Sequence, residues 1–262
     1  MAMKKSIPLK EQRKLFEDNL SFLAASFSKY KVNQYVIGID PSLNHSAIAI
    51  NEIGNKQIKF EDSPELIRDS KLKLKVITRI ACTRNWLIKT VNQYHPRLIC
   101  IEGYAYGKTQ NRELMGEVGG MIRLNVFHDQ TIVGPVIIVG PTQLKKYILG
   151  SAQVAGGEKT KQLIILNIFK KLKIETSNDN QADAVVLCKI GKDLVKFVKE
   201  YRNKRFDSDK KIREFINNGW EGTKFPKYRW EVLCSLIINK SNRTLFDFSE
   251  EGSFEFPYYD RH

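Results

Sequence analysis

The sequence predicts an α/β fold in which a five-stranded mixed sheet is flanked by helices. Three observations predict it. Short, nearly continuous apolar runs (YVIGID, RLICIEG and GPVIIVG) read as buried strands. Between them, apolar residues recur at helical spacing. The order matters most: three strands come first, then helix and strand alternate, which implies an antiparallel three-strand meander joined to two parallel strands.

Taken in order, residues 10–30 form an amphipathic helix, with Phe16, Leu20, Leu23 and Phe27 on one stripe that needs a partner surface, either the main domain or a second subunit. YVIGID is the first strand and HSAIAI opens the second. Gly54 and Asn55 turn the chain into a third strand over Gln57 to Phe60. A long helix is expected from Pro64 to Tyr94, carrying Leu66, Leu74, Ile77, Ile80, Trp86 and Leu87. RLICIEG gives the fourth strand, and a polar, glycine-rich stretch leads to a helix around Arg112 to Phe127. GPVIIVG is the fifth strand, and Pro141 closes it ahead of the short helix TQLKKYIL. After a loop of small residues, Ser151 to Gly157, come a helix from Glu158 to Leu172 and a last core helix starting near Asn178.

From Lys189 onward the pattern weakens into a basic, aromatic-rich tail, with helices expected at Asp207 to Asn218 and Arg229 to Lys240. Trp220, Phe225, Tyr228 and Trp230 give this tail something to pack. The division expected is an N-terminal helical extension (1–33), a core (34–195) and a C-terminal α-rich extension (196–262). No internal repeat is present.

Among 262 residues, 43 Lys and Arg face 29 Asp and Glu, an excess of 14 positive charges. Such an excess favours a polyanion, nucleic acid above all, although a basic surface also serves solubility. An anionic membrane surface is the lesser alternative. No apolar run is long enough to span a bilayer and no apolar leader precedes Ile7, so a cytoplasmic protein without a membrane partner is expected. Cys82, Cys100, Cys188 and Cys234 lie far apart, as do His45, His95, His128 and His262, which argues for reduced thiols and against a zinc site.

The chemistry is carried by acids. Asp40 ends the first apolar strand and Glu102 the fourth. Groups at the carboxyl ends of strands face the crevice where ligands bind. Carboxylates held close together raise one another's pKa unless a cation neutralises them, and oxygen ligands suit Mg2+ or Mn2+. The helix near Asn178 adds Asp179 and Asp183, four residues apart and so on one face. Asp179 has the alternative role of a helix cap. Asp183, followed by the apolar AVVL, needs a partner. Convergent carboxylates with a basic surface point to two-metal phosphodiester hydrolysis, with two ions per active site. Lysines around Lys145 and Lys159 are candidates to meet charge on the phosphate.

GIDPSLNHSAIAI, IEGYAYG, GPTQLKKYILG with the following EKTKQLI, and DNQADAVVL occur in this order over residues 34–192. In that order and spacing the sequence resembles the RuvC-like Holliday junction resolvases, particularly those encoded by bacteriophages. The resemblance implies a ribonuclease H-like fold, a homodimer and paired Mg2+-dependent incisions in four-way DNA junctions, performed in the cytoplasm of the host cell if the gene is a phage's. By the resemblance, Asp40, Glu102 and Asp183 match the metal-binding acids, and Lys145 matches the lysine after the fifth strand. Either Lys159 or Lys161 matches the second basic residue. Tyr104 and Tyr106 sit where the family places an aromatic near the junction, with loop packing as their other reading. Lys108 and Lys146 complete the candidate DNA contacts.

One departure stands out: where the family has an acid or a histidine three residues before the final Asp, this chain has Asn180. Asp179 replaces that ligand, or Asn180 coordinates weakly, or Asn180 is a substitution that disables the site. A second departure is the length of both ends. Competing readings are a flap or fork nuclease of the same fold, a transposon-type single-strand cutter and a non-catalytic DNA-binding protein. An actin-like kinase also starts with a strand, an Asp and a hairpin, but the chain is too short for its duplicated fold.

Overall fold

The computed structural model describes residues 7–29, 31, 34–42, 45–64, 76–103, 120, 134–153 and 157–239. In chain order the elements are α1 (Leu9–Lys29), β1 (Tyr35–Asp40), β2 (Ala47–Glu52), β3 (Ile58–Asp62), α2 (Val76–Tyr94), β4 (Leu98–Glu102), β5 (Val136–Val139), α3 (Pro141–Leu149), α4 (Glu158–Leu172), α5 (Asp179–Tyr201), α6 (Asp209–Asn218) and α7 (Lys227–Ile238). The strands form one five-stranded sheet in the order β3-β2-β1-β4-β5. The pairs β1–β2 and β2–β3 are antiparallel, and β1–β4 and β4–β5 are parallel, as the order of apolar runs predicts.

Strand alternation separates the two faces of this sheet. On one, Ile37, Ile39, Ile48, Ile50, Ile99 and Ile101 pack with Leu87 and Val91 of α2. On the other, Gly38, Ala47, Ala49 and Cys100 lie under α5 together with Val36 and Leu98. Large β-branched residues hold α2 at side-chain distance, whereas the opposite face lets α5 approach at backbone distance. A Cβ placed on Gly38 would stand 2.3 Å from Ala184 O and 2.3 Å from Cys188 N. On the helix side, a Cβ on Gly191 would stand 2.6 Å from Val36 Cγ1 and 2.9 Å from Cys100 Sγ. The Cys188 thiol donates to Val36 O at 3.3 Å across the same contact.

Several expectations change in detail. β3 runs to Asp62, two residues beyond Phe60. The described part of the long helix before β4 is Val76–Tyr94, with residues 65–75 outside the described residues, and Ile77 is 79% exposed rather than on the buried stripe. The helix expected at Arg112 to Phe127 also lies outside the described residues, apart from residue 120. The pattern does not weaken at Lys189: α5 continues unbroken to Tyr201 with Leu194, Val195, Phe197 and Val198 buried. Its apolar positions are interleaved with lysines, so the stripe is hidden in the sequence. Asn178, not Asp179, caps α5, its side chain accepting from the Gln181 N–H.

Both terminal segments pack on α5 within this chain. Phe16 of α1 meets Phe197, Phe206 and Phe215 edge-on at centroid distances of 6.5, 5.7 and 5.6 Å. Trp230 of α7 is fully buried, and its indole N–H donates to Phe215 O and Ile216 O. Asn19 donates to Ile237 O at 2.5 Å, tying α1 to α7. Beneath α7, the buried Asp193 accepts from Tyr147 Oη of α3 at 2.5 Å and Lys189 Nζ at 2.5 Å, with Arg229 of α7 at 3.9 Å. A buried carboxylate so surrounded is compensated. Cys100, Cys188 and Cys234 are buried free thiols and Cys82 is half-buried.

The backbone-distance contact makes a prediction. Gly38→Ala forces α5 away from β1 and should cost about 1–3 kcal/mol as overpacking, read as a lower denaturant midpoint. An unchanged midpoint would show that the contact is looser than described.

Candidate metal and nucleic-acid site

The register of β1 on β4 assembles the site. Gly38 lies opposite Cys100 and Ile39 opposite Ile101, so the next step places Asp40 beside Glu102 at the carboxyl ends of adjacent parallel strands. Both fall on the face covered by α5, because Gly38 and Cys100 do. α5 lies so close there that Asp183, in its second turn, reaches the same point. Carboxylate oxygens of Asp40, Glu102 and Asp183 all lie within 4.8 Å of one another.

These acids are strained as they stand. Burial, then the charges of Glu102 and Asp183, push the Asp40 carboxyl well above the usual carboxylate range. Burial also raises Glu102, opposed by a hydrogen bond from Asp40 and by the Lys145 ammonium. Asp183 is pushed up to about 8, by burial first and then by Glu102 and Asp179, with Lys145 and Lys161 pulling it down. Asp183 Oδ1 is buried and has no hydrogen-bond partner. A buried carboxylate with an unsatisfied oxygen, in a cluster with two other carboxylates, fits a hard divalent cation, and the all-oxygen donor set suits Mg2+ or Mn2+.

The remaining candidates divide. Asp179, half-buried at the start of α5, forms an ion pair with Lys161 of α4 and adds negative charge to Asp40 and Asp183. Asn180 is half-buried on the same first turn. Lys145 of α3 is close enough to lower the pKa of Glu102 and Asp183. Of the two lysines the sequence left open, both are exposed, and Lys161 forms the ion pair with Asp179. Lys146 turns instead to Glu231 of α7, 2.7 Å away. Tyr104, Tyr106 and Lys108 lie outside the described residues.

Sequence reasoning missed a polar group at the rim: His45, Asp62, Ser177 and Gln181. His45 Nε2 is 3.3 Å from Asp62 Oδ1, and Gln181 Nε2 donates to Asp62 Oδ2 at 2.7 Å. Asp62 ends its strand as Asp40 and Glu102 end theirs, and that signal was lost by stopping β3 at Phe60. Nothing in the sequence singles out Gln181.

The raised acids link stability to pH. Without a cation, the folded protein holds protons on these acids more tightly than the unfolded chain does, and that of Asp183, released near pH 3.8 in the unfolded chain, leaves only near pH 8. The stabilisation from these protons is present at low pH and is lost as pH rises through that window. In chelator, the melting temperature should therefore fall from about pH 5 to about pH 8, more steeply than in Asp183→Asn. Added Mg2+ or Mn2+ should restore it at the upper end, with proton release on binding. A flat profile, indifferent to cation, would contradict strained acids.

No curated protein matches the chain significantly by sequence. Among solved structures, Thermus thermophilus RuvC aligns at 20% identity with a TM-score of 0.46, covering 59% of this chain and 90% of that one. T. thermophilus RuvC in complex with Holliday junction substrate aligns at 17% identity and a TM-score of 0.46, with the same 59% and 90% coverage. The yeast mitochondrial Holliday junction resolvase Ydc2 aligns at 10% identity and a TM-score of 0.30, covering 93% of this chain and 99% of that one. The profile of the family described as crossover junction endodeoxyribonuclease RuvC matches residues 36–189, a span that takes in β1 to β5 and all three converging acids. By this match over more than half of its length, the chain belongs to the RuvC family of crossover junction endodeoxyribonucleases.

Proposed function

We propose that this protein is a structure-selective endonuclease that resolves Holliday junctions and related branched DNA by paired, divalent-metal-dependent phosphodiester hydrolysis. The observation that carries the reading is the convergence of Asp40, Glu102 and Asp183 under α5 in a chain of net charge +14. Asp40, Glu102 and Asp183 would hold the cations, with either Asp179 or Asn180 as a further ligand. Two Mg2+ ions, or Mn2+ in their place, supply the Lewis-acid charge that phosphodiester hydrolysis needs.

The chain's own residues do the rest. The Lys145 ammonium, already in the field of Glu102 and Asp183, meets negative charge growing on the phosphate. Lys161 holds Asp179 until DNA enters, and then binds backbone phosphate. Lys108, Lys146 and Lys159 extend the phosphate contacts, and Tyr104 and Tyr106 stack at the branch point. Residues 34–195 are the catalytic unit, with 1–33 and 196–262 as extensions whose described helices α1 and α7 pack on α5. Paired incisions call for two such units, so the active form is a homodimer working in the cytoplasm, that of the host if the gene is a bacteriophage's. Among the described residues, no helix is long and apolar enough to cross a membrane.

Asn180 favours a second reading, a branched-DNA-binding protein that has lost catalysis. One assay separates the two: labelled four-way junction, fork and linear duplex, each with and without Mg2+, offered to the protein, to Asp40→Asn and to Asn180→Asp. Symmetric nicking of the junction alone is expected. Asp40→Asn should lose on the order of a thousand-fold in rate, roughly 4 kcal/mol of barrier, while keeping junction binding. Asn180→Asp should cut faster if position 180 is a ligand. Binding without cutting by every form would establish the second reading.

A further inference from the structure

Beside the three acids, a ring of polar contacts, hydrogen bonds on the Gln181 side and looser approaches on the His45 side, borders the first turn of α5. Gln181 is a buried amide, 6% exposed, whose every polar atom is engaged. Its Oε1 accepts from the Ser177 N–H and the Ser177 hydroxyl, each at 2.9 Å, and its Nε2 donates to Asp62 Oδ2 at 2.7 Å. Turning the amide over would set two donors against each other at Ser177 and an oxygen against the Asp62 carboxylate, so the network fixes its orientation. The Gln181 backbone N–H donates to Asn178 Oδ1 at 2.9 Å, closing the helix cap. The second Asp62 oxygen lies 3.3 Å from His45 Nε2, itself 3.5 Å from Asn178 Nδ2.

The ring joins three pieces of chain that carry or adjoin the acids. His45 belongs to the β1–β2 connection that begins directly after Asp40. Asp62 ends β3, the edge strand of the sheet among the described residues. Gln181 stands between Asp179 and Asp183, and an irregular link, residues 173–178, leads into its helix. Further along α5, the Lys192 ammonium donates to Asn55 O in the β2–β3 turn, so the hairpin is pinned to α5 at both ends. Edge strands and first helical turns are where a fold shifts most easily. Here Asp179 and Asp183 stand on the first two turns of that helix.

We propose that Gln181 and Asp62 are positioning residues for the acid site: their hydrogen bond holds the first turns of α5 against β3 and keeps Asp179 and Asp183 in place to receive a divalent cation. The inference rests on the metal-dependent reading above. Groups that orient ligands in this way are worth about 10–100-fold in cation affinity when lost.

The test is Mn2+ binding by the full-length protein in the absence of DNA, followed by electron paramagnetic resonance, with the melting temperature of each chelated variant alongside. Gln181→Asn keeps the amide but is one methylene too short to span Ser177 and Asp62, and it should bind Mn2+ about 10–100-fold more weakly. The paired change Asp62→Asn with Gln181→Glu keeps the net charge and reverses the direction of the hydrogen bond, and it should return affinity to within about threefold of the parent. A merely structural role would move the melting temperature and leave the affinity, and that result would overturn the proposal. Failure of the paired change to restore binding while it melts like the parent would overturn it too. If the parent binds no Mn2+, the metal-dependent reading falls and takes this one with it. If the parent binds and Gln181→Asn binds equally well, only the positioning role falls.

Discussion

The site exists because α5 lies on β1 at backbone distance. Gly38 on the strand and Gly191 on the helix remove the side chains that would keep the two apart, and Ala47, Ala49 and Cys100 keep the neighbouring strands equally low. A helix seated at ordinary side-chain distance, as α2 is over the isoleucines of the other face, could not bring a carboxylate from its second turn to the ends of β1 and β4. Parallel register supplies the other half of the geometry, setting Asp40 beside Glu102. The cost of this approach is three buried acids whose pKa values are all raised, which is the electrostatic state a divalent cation relieves.

The terminal extensions serve the same contact from behind. α1 and α7 cover the outer face of α5, and the Tyr147–Asp193–Arg229 cluster ties α3, which carries Lys145, to α5, which carries Asp183. An isolated α5 would expose a broad apolar surface, including Leu194, Phe197 and Val198, that is buried only when the neighbouring helices enclose it. The C-terminal segment is therefore part of what keeps the acids in place, even though its residues lie beyond the family match, which ends at 189.

Much of this was legible in the sequence. Short apolar runs ending in an acid gave β1 and β4 together with Asp40 and Glu102, because buried strands tolerate charge only at their ends. Asp183 was legible because a carboxylate leading an apolar helix face must have a partner. The full length of α5 was not, since its lysines at 189, 192, 196 and 199 break the apparent stripe while their neighbours Leu194, Phe197 and Val198 are buried. The Lys161–Asp179 ion pair was not legible either, as it depends on how α4 faces α5. Nor was the Gln181–Asp62 bond, which joins residues 119 apart and requires β3 to reach Asp62. Pairings of that kind are fixed by tertiary geometry rather than by local pattern.

The most direct test of the central claim is anomalous diffraction from crystals of the protein soaked in Mn2+. Density bounded by Asp40, Glu102 and Asp183, with carboxylate oxygens at roughly 2.1 Å as hard octahedral cations require, is the predicted result. Three carboxyls that stay protonated and hydrogen-bonded to one another in saturating Mn2+, with no anomalous peak among them, would contradict it.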